Sequence, residues 1–124
     1  MADPDLKETE WDLLEALWTL RRATATEVTA HLQERRGWAY STVKTLLDRM
    51  VKSGVVAARQ VGNVWEYRPA IARETARRGA WARLVELAFG GSIDEALHFV
   101  VEQRTLTPEQ RRELQALLDD GGEE

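Results

Sequence analysis

The sequence predicts a mainly α-helical fold with one small β-hairpin, arranged as a winged helix-turn-helix followed by a three-helix dimerisation lobe. Three observations lead to this prediction: three short amphipathic helices in the first half, a change to a β-type pattern between residues 55 and 68, and a return to helical periodicity after Pro69. We therefore divide the 124-residue chain into residues 1–69, a winged-helix domain, and residues 70–124, a helical dimerisation domain.

Capping signals mark the first two helices. Thr9–Asp12 resembles a capping box, with Asp12 in place of the usual glutamate, and predicts a helix that ends near Leu20. Thr24–Glu27 is a cleaner capping box, and Gly37 is a plausible stop for the second helix.

The third helix is expected from about Ala39 or Ser41 to Ser53, with Gly54 just beyond its end. Its apolar residues fall on one face: Val43, Leu46, Leu47, Met50 and Val51. The opposite face carries hydroxyls and charges: Ser41, Thr42, Lys44, Thr45, Asp48, Arg49 and Lys52.

This face of hydroxyls and cations suits a DNA groove. Arginine can donate two hydrogen bonds to one guanine, serine and threonine can bond to bases or phosphates, and lysine binds phosphates. Residues 36–68 also carry a net charge of +4 inside a chain whose total is −4. The alternative is an ordinary solvated helix surface. Asp48 is the only acid on this helix, which argues against that alternative.

A β-hairpin is predicted next, with strands at Val55–Gln60 and Val64–Arg68 and a turn at Val61–Asn63. Pro69 ends the second strand because proline cannot extend a ladder of hydrogen bonds.

Two functions are assigned to the side chains of this hairpin, or wing. Arg59 and Asn63 are expected to contact DNA. Trp65 and Tyr67 share a face of their strand, and we expect them to pack the wing onto the helices, with base stacking as the alternative.

Three helices are predicted after Pro69: Ile71 to Phe89, Ile93 to about Gln103, and a last one opened by Thr107–Gln110. Helices of this size bury too little surface to fold alone, so a second copy of the chain is expected to cover them. The predicted dimer interface comprises Trp81, Leu84, Val85, Ala88, Leu97, Val101, Leu114, Leu117 and Leu118.

Several classes of function lack their usual residues. The chain has no cysteine and only two histidines, His31 and His98, so we predict no metal site and no cofactor. Neither a glycine-rich phosphate loop nor a G-x-S-x-G motif occurs, and we expect no catalytic residues. No membrane-length apolar run and no signal-peptide pattern are present, which predicts a cytoplasmic protein without membrane insertion.

Four segments carry a resemblance to a known family: Glu10-Trp11, Thr42–Gly54, Tyr67-Arg68-Pro69 and Phe89-Gly90-Gly91-Ser92. Together they make residues 5 to 119 similar to the penicillinase-repressor and methicillin-resistance-repressor family. The resemblance implies a homodimeric winged-helix repressor on dyad operators in double-stranded DNA, often ahead of β-lactam resistance genes. It also implies release by proteolysis in the C-terminal domain, downstream of a membrane metalloprotease sensor.

This chain departs from the family pattern at three places. Ala39-Tyr40-Ser41 replaces the Ser-Pro-Lys that often enters the third helix. His98-Phe99 stands where the resistance repressors have the Asn-Phe at which they are cut, which makes it the candidate cleavage site. The cysteine cluster of the copper-responsive branch is absent.

Two other functions remain open from the sequence. One is a winged-helix regulator that responds to a small molecule, with a pocket at the dimer junction lined by Trp81 and Phe89. The other is a protein–protein adaptor built on a winged helix, which the scarcity of acids on the third helix disfavours.

Overall fold

The computed structural model describes residues 5–103 and 106–121, with side chains described as far as residue 117 in the last helix. The elements in chain order are α1 Glu8–Leu20, β1 Ala23–Thr24, α2 Ala25–His31, α3 Tyr40–Lys52, β2 Val56–Val61, β3 Val64–Pro69, α4 Arg73–Phe89, α5 Ile93–Glu102 and α6 Pro108–Gly121. The predicted order of three helices, hairpin and three helices is confirmed. The chain divides into two compact units, Met1–Ala80 and Trp81–Glu124, which we call the first and second units.

The core of the first unit joins all three N-terminal helices to the sheet. Leu13, Leu14 and Leu17 of α1 are fully buried, and they share one cluster with Val28 of α2 and with the inner face of α3. Tyr67 brings the central strand into the same cluster, at 1% exposure. Burial of each large apolar side chain is worth about 1.5–3 kcal/mol, so this cluster accounts for the compactness of the unit.

The sheet has three antiparallel strands in the order β1-β3-β2. The hairpin closes between Val61 and Val64, and Gly62 at the first loop position has a φ of +62°, as a type II′ turn requires. The sequence did not predict the third strand, β1. It is only two residues long, Ala23 and Thr24, and it pairs with Tyr67 and Glu66 of β3.

Two predicted helix boundaries were wrong. Lys7, not Thr9, precedes the first helix: its backbone N–H donates to Oε1 of Glu10 at 2.8 Å. Asp12 is not available as a cap because it is buried and bonds to two arginines. The second helix ends at His31, and the chain then forms a turn before Gly37.

The predicted capping box at Thr24–Glu27 is confirmed, with both of its hydrogen bonds formed at 2.8 and 3.2 Å. The predicted end of the third helix is also confirmed. Gly54 has a φ of +86°, and Val55 donates its N–H to the carbonyl of Met50 at 3.1 Å, as in a Schellman motif.

The second unit contains the end of α4 together with α5 and α6. Phe89 and Phe99 pack with ring centroids 5.5 Å apart, and Val85 and Ala96 are buried. Ser92 caps α5, and Thr107 forms a reciprocal capping box with Gln110 at the start of α6. Among the described residues, no helix has both the length and the apolar content required for a membrane span.

Asp12 ties α1 to the turn before α3. Arg35 Nε donates to Oδ1 of Asp12 at 2.9 Å, and Arg36 Nε donates to Oδ2. Arg36 also lies over the ring of Trp38, 5.1 Å from its centroid. This cluster holds the entry to α3 against α1.

We predict that Asp12→Ala lowers the free energy of unfolding by about 1–3 kcal/mol, because it removes charged hydrogen bonds that converge on a buried carboxylate. Glu8→Ala is the control: Glu8 reaches Arg36 at 3.5 Å but its side chain is 85% exposed, so the change should stay within about 0.5 kcal/mol. Urea unfolding of both variants measures the difference. Equal effects would contradict a structural role for Asp12.

Candidate nucleic-acid interface

The rotation of α3 is fixed by its buried stripe. Val43, Leu47 and Met50 are at most 1% exposed. The predicted outer face therefore points to solvent, and the exposed residues on it are Ser41, Thr42, Thr45, Asp48, Arg49 and Lys52. Arg49 and Lys52 have no side-chain hydrogen bond or ion pair among the described residues, which leaves both cations available to a ligand.

The N-terminus of α3 lacks a side-chain cap, because Ala39 occupies the N-cap position. No acid lies in the first turn, while Arg49 and Lys52 lie in the last. The partial positive charge of a helix N-terminus therefore adds to the exposed hydroxyls of Ser41 and Thr42. Together these groups favour an anionic partner at the start of the helix.

Lys44, predicted to contact DNA, is part of a network that crosses from α3 to the wing. Its ammonium donates to Oδ1 and Oδ2 of Asp48 at 2.9 and 3.1 Å and to the hydroxyl of Tyr67. The Tyr67 hydroxyl donates in turn to Oδ1 of Asp48 at 2.8 Å. We call these three residues the helix–wing network.

The helix–wing network stabilises the charged forms of its lysine and aspartate. Hydrogen bonds to Tyr67 and Asp48 raise the pKa of Lys44 above its ordinary value. Burial opposes the charge on Asp48, but hydrogen bonds from Lys44 and Tyr67 outweigh it and lower the pKa of that carboxyl. Burial also raises the pKa of Tyr67, so its hydroxyl keeps its proton at neutral pH.

The wing presents fewer free cations than the sequence suggested. Arg59 is exposed, but it pairs with Glu66 across the strands at 3.0 Å. Arg68 is exposed, and Asn63 is exposed at the tip of the hairpin.

Trp65 and Tyr67 differ in burial although both were expected to pack the wing onto the helices. Tyr67 does so, at 1% exposure, but Trp65 remains 46% exposed. Trp65 forms one wall of a groove of about 420 Å³ between α3 and the wing, lined by Lys44, Asp48, Val51, Lys52, Ala58, Trp65 and Tyr67. Base stacking by Trp65, the alternative to packing, stays a prediction. The alternation of two aromatic residues along β3 indicated a shared face but not how deep each one lies.

Half of the eight predicted dimer residues whose side chains the structure describes are exposed in the single chain. Leu84 is 50% exposed, Leu117 is 69% exposed and Trp81 is 38% exposed, whereas Val85 is buried. Ala88 is exposed, and Leu97, Val101 and Leu114 are half-buried. Leu118 lies outside the described side chains. Leu87, which was not predicted, is the most exposed large apolar side chain among those that the structure describes, at 80%.

His98 and Phe99 lie within α5 and are both exposed, and His98 Nε2 is 3.5 Å from Oδ1 of Asp94 one turn earlier. The peptide bond between them is therefore inside a helix, although its side chains face solvent. Among the described residues, no cluster of histidines and carboxylates is suited to a metal ion.

Comparison with known proteins identifies a family for this chain. The model of the penicillinase repressor family matches residues 6–120. The methicillin resistance regulatory protein MecI of Staphylococcus aureus is 18% identical over 115 residues, covering 93% of this chain and 94% of that protein. The penicillinase repressor of Bacillus licheniformis is 21% identical over 117 residues, covering 94% and 91%.

A solved structure also matches part of the chain. It is the solution structure of the monomeric form of Bacillus licheniformis BlaI in complex with the blaP half-operator, with a TM-score of 0.51 and 25% identity. The match covers 58% of this chain and 88% of that one.

Proposed function

This chain belongs to the penicillinase repressor family, whose members are transcriptional repressors and not enzymes, and we propose that it binds double-stranded operator DNA as a homodimer. The observation that carries the proposal is the outward face of α3, where hydroxyls and unpaired cations adjoin the wing. In a winged helix this is the surface that enters the major groove. The complex of the related BlaI with a half-operator supports the same assignment.

The proposed contacts follow from exposure and charge. Ser41, Thr42 and Thr45 lie along the first turns of α3 and are placed to reach base edges or phosphates. Arg49 and Lys52 follow them on the same face, and Asn63 and Arg59 extend the surface onto the wing. Lys44 stays among the predicted contacts, although its ammonium already bonds within the protein.

The exposed apolar side chains of the second unit support a dimer. Leu84, Leu87 and Leu117 are each at least half exposed. A second copy that covers them would remove apolar surface from water at about 25 cal/mol per Å². Twofold symmetry would also place two copies of α3 about one turn of DNA apart, so that each copy contacts one half of a dyad operator.

We further propose that repression ends by proteolysis at or near His98–Phe99, after a signal from a membrane metalloprotease sensor. The bond lies within α5, so cleavage requires that the helix first opens locally. A cut there removes the final 26 residues, which include all of α6. The dimer would weaken because part of its apolar face is lost, and the first unit would stay folded.

Selection of binding sites from random duplex DNA tests the proposed function. The expected result is a sequence with dyad symmetry whose half-sites are separated by one helical turn, about 10 base pairs, or a multiple of it. Enrichment of no sequence over the starting pool would reject sequence-specific binding. The selected site is used in the experiments below.

The first prediction concerns the outer face of α3. Arg49→Ala and Lys52→Ala should change the free energy of unfolding by less than about 0.5 kcal/mol, because both side chains are exposed. Each lost phosphate contact should flatten the slope of log K against log salt by about 0.9. Titrations of the selected site at several salt concentrations measure the slope. Wild-type affinity and slope in both variants would show that another face binds DNA.

The second prediction concerns the dimer. Leu84→Asp should place a charge in the interface and yield a monomer in sedimentation, with weaker binding to the selected site because its half-sites are no longer linked. Ala82→Asp is the matched control, since Ala82 is exposed on the opposite side of α4. A wild-type chain that sediments as a monomer at micromolar concentration would reject the dimer.

The third prediction concerns release. A chain that ends at His98 should stay helical by circular dichroism, sediment as a monomer and bind the selected site at least about tenfold more weakly, since half-site linkage contributes factors of this size or larger. Binding at full strength by this truncated chain would exclude cleavage at this bond as the switch. The small-molecule alternative would then be favoured.

A further inference from the structure

The helix–wing network leaves Lys44 without a free donor. An ammonium has three N–H groups, and the structure gives Lys44 three acceptors: the two carboxylate oxygens of Asp48 and the hydroxyl of Tyr67. A phosphate can bind Lys44 only if at least one of these bonds breaks. Lys52, two turns along the same helix from Lys44, has no such bonds and is exposed.

Asp48 is the only acid on the proposed DNA-binding face of α3. A bare carboxylate there would repel phosphates. Here its charge is compensated by Lys44, and its position is fixed by the hydroxyl of Tyr67 in β3. Because Tyr67 is buried and β3 is the central strand, the network also links the recognition helix to the wing.

We propose that Asp48 is a specificity-determining residue, because it withholds the Lys44 ammonium from DNA phosphates and so limits binding to non-operator DNA. This inference rests on the proposed function, and it changes the role of Lys44. Lys44 is a positioning residue that bonds to Asp48 and Tyr67 and does not contact a phosphate. Tyr67 completes the arrangement by accepting the third N–H of Lys44 and holding Asp48 in place.

The physical basis is that non-operator DNA is bound almost entirely through phosphates, whereas an operator also offers base contacts. On non-operator DNA a freed cation can reach a phosphate in any register, whereas on an operator the base contacts hold α3 in one register. A freed cation therefore strengthens non-operator binding more. A carboxylate that bonds to one such cation within the protein lowers the affinity for non-operator DNA. The ratio of operator to non-operator affinity rises as a result.

Asp48→Asn tests the proposal with the selected operator duplex and a shuffled duplex of the same composition. The variant should bind the shuffled duplex several-fold more tightly than wild type and the operator duplex by a smaller factor, so that the ratio of the two affinities falls. Its slope of log K against log salt on the shuffled duplex should be steeper by about 0.9. An equal gain on both duplexes would contradict a role in specificity. Glu74→Gln is the matched control. It removes the same charge from another i,i+4 pair with a cation, Arg78, on α4.

Lys44 itself is tested against Lys52. Lys52→Met should flatten the salt slope of the wild-type chain by about 0.9. The double variant Lys44→Met with Asp48→Asn, which removes both charges of the pair, should leave the slope unchanged. In the Asp48→Asn background, Lys44→Met should abolish the gain in non-operator affinity. A slope flatter than wild type in this double variant, or an Asp48→Asn variant that behaves like Glu74→Gln, would overturn the proposal.

An experiment without DNA tests the helix–wing network independently of the proposed function. Acetylation of the folded chain by limiting acetic anhydride, followed by mass spectrometry of peptides, compares the two lysines directly. Lys44 should react several-fold more slowly than Lys52, because its raised pKa and its three hydrogen bonds reduce the free amine. Asp48→Asn should bring the two rates together.

The two measurements have distinct outcomes. Slow acetylation of Lys44 in a chain that binds no DNA would leave the network intact and reject the proposed function. Equal acetylation of Lys44 and Lys52 in the wild-type chain would reject the network as a restraint on Lys44, whatever the DNA titrations give.

Discussion

Val43, Leu47 and Met50 are packed into the apolar core of the first unit, and this contact fixes the rotation of α3 about its own axis. The other surfaces of the helix follow from it. Since a helix advances 100° per residue, the hydroxyls and the cations Arg49 and Lys52 must then face outward. Deleting a methylene from one of these three side chains would lower the free energy of unfolding. Rotating the helix about its axis would bury charged side chains, which would lower it far more.

Both strands of the wing reach the same core, through Val56 of β2 and Tyr67 of β3. Tyr67 pairs with Ala23 on one side and Ala58 on the other, and its ring is buried, while its hydroxyl reaches the charged side of α3. One residue thus joins apolar packing to the polar network beneath the proposed interface. The groove that is lined by Trp65 lies beside Tyr67, between α3 and the hairpin.

The sequence predicted the fold well because its signals are local. Capping residues, helical periodicity and the Gly62-Asn63 turn each act within a few residues, and the helices and hairpin they predicted are confirmed. The errors have non-local causes. β1 forms only because β3 lies beside it, and Asp12 fails to cap α1 because arginines 23 and 24 residues away bind it. Charge patterning likewise located the outer face of α3 but not the pairing of Lys44 with Tyr67, which depends on the wing. The DNA contacts and the dimer interface stay predictions.

The central claim is that two copies of the outer face of α3 bind one dyad operator. A hydroxyl-radical footprint of the wild-type chain on the selected duplex tests it most directly. We expect two protected stretches on one side of the duplex, related by the dyad and centred about 10 base pairs or a multiple of that apart. Protection of a single half-site at saturating protein, or none, would contradict it.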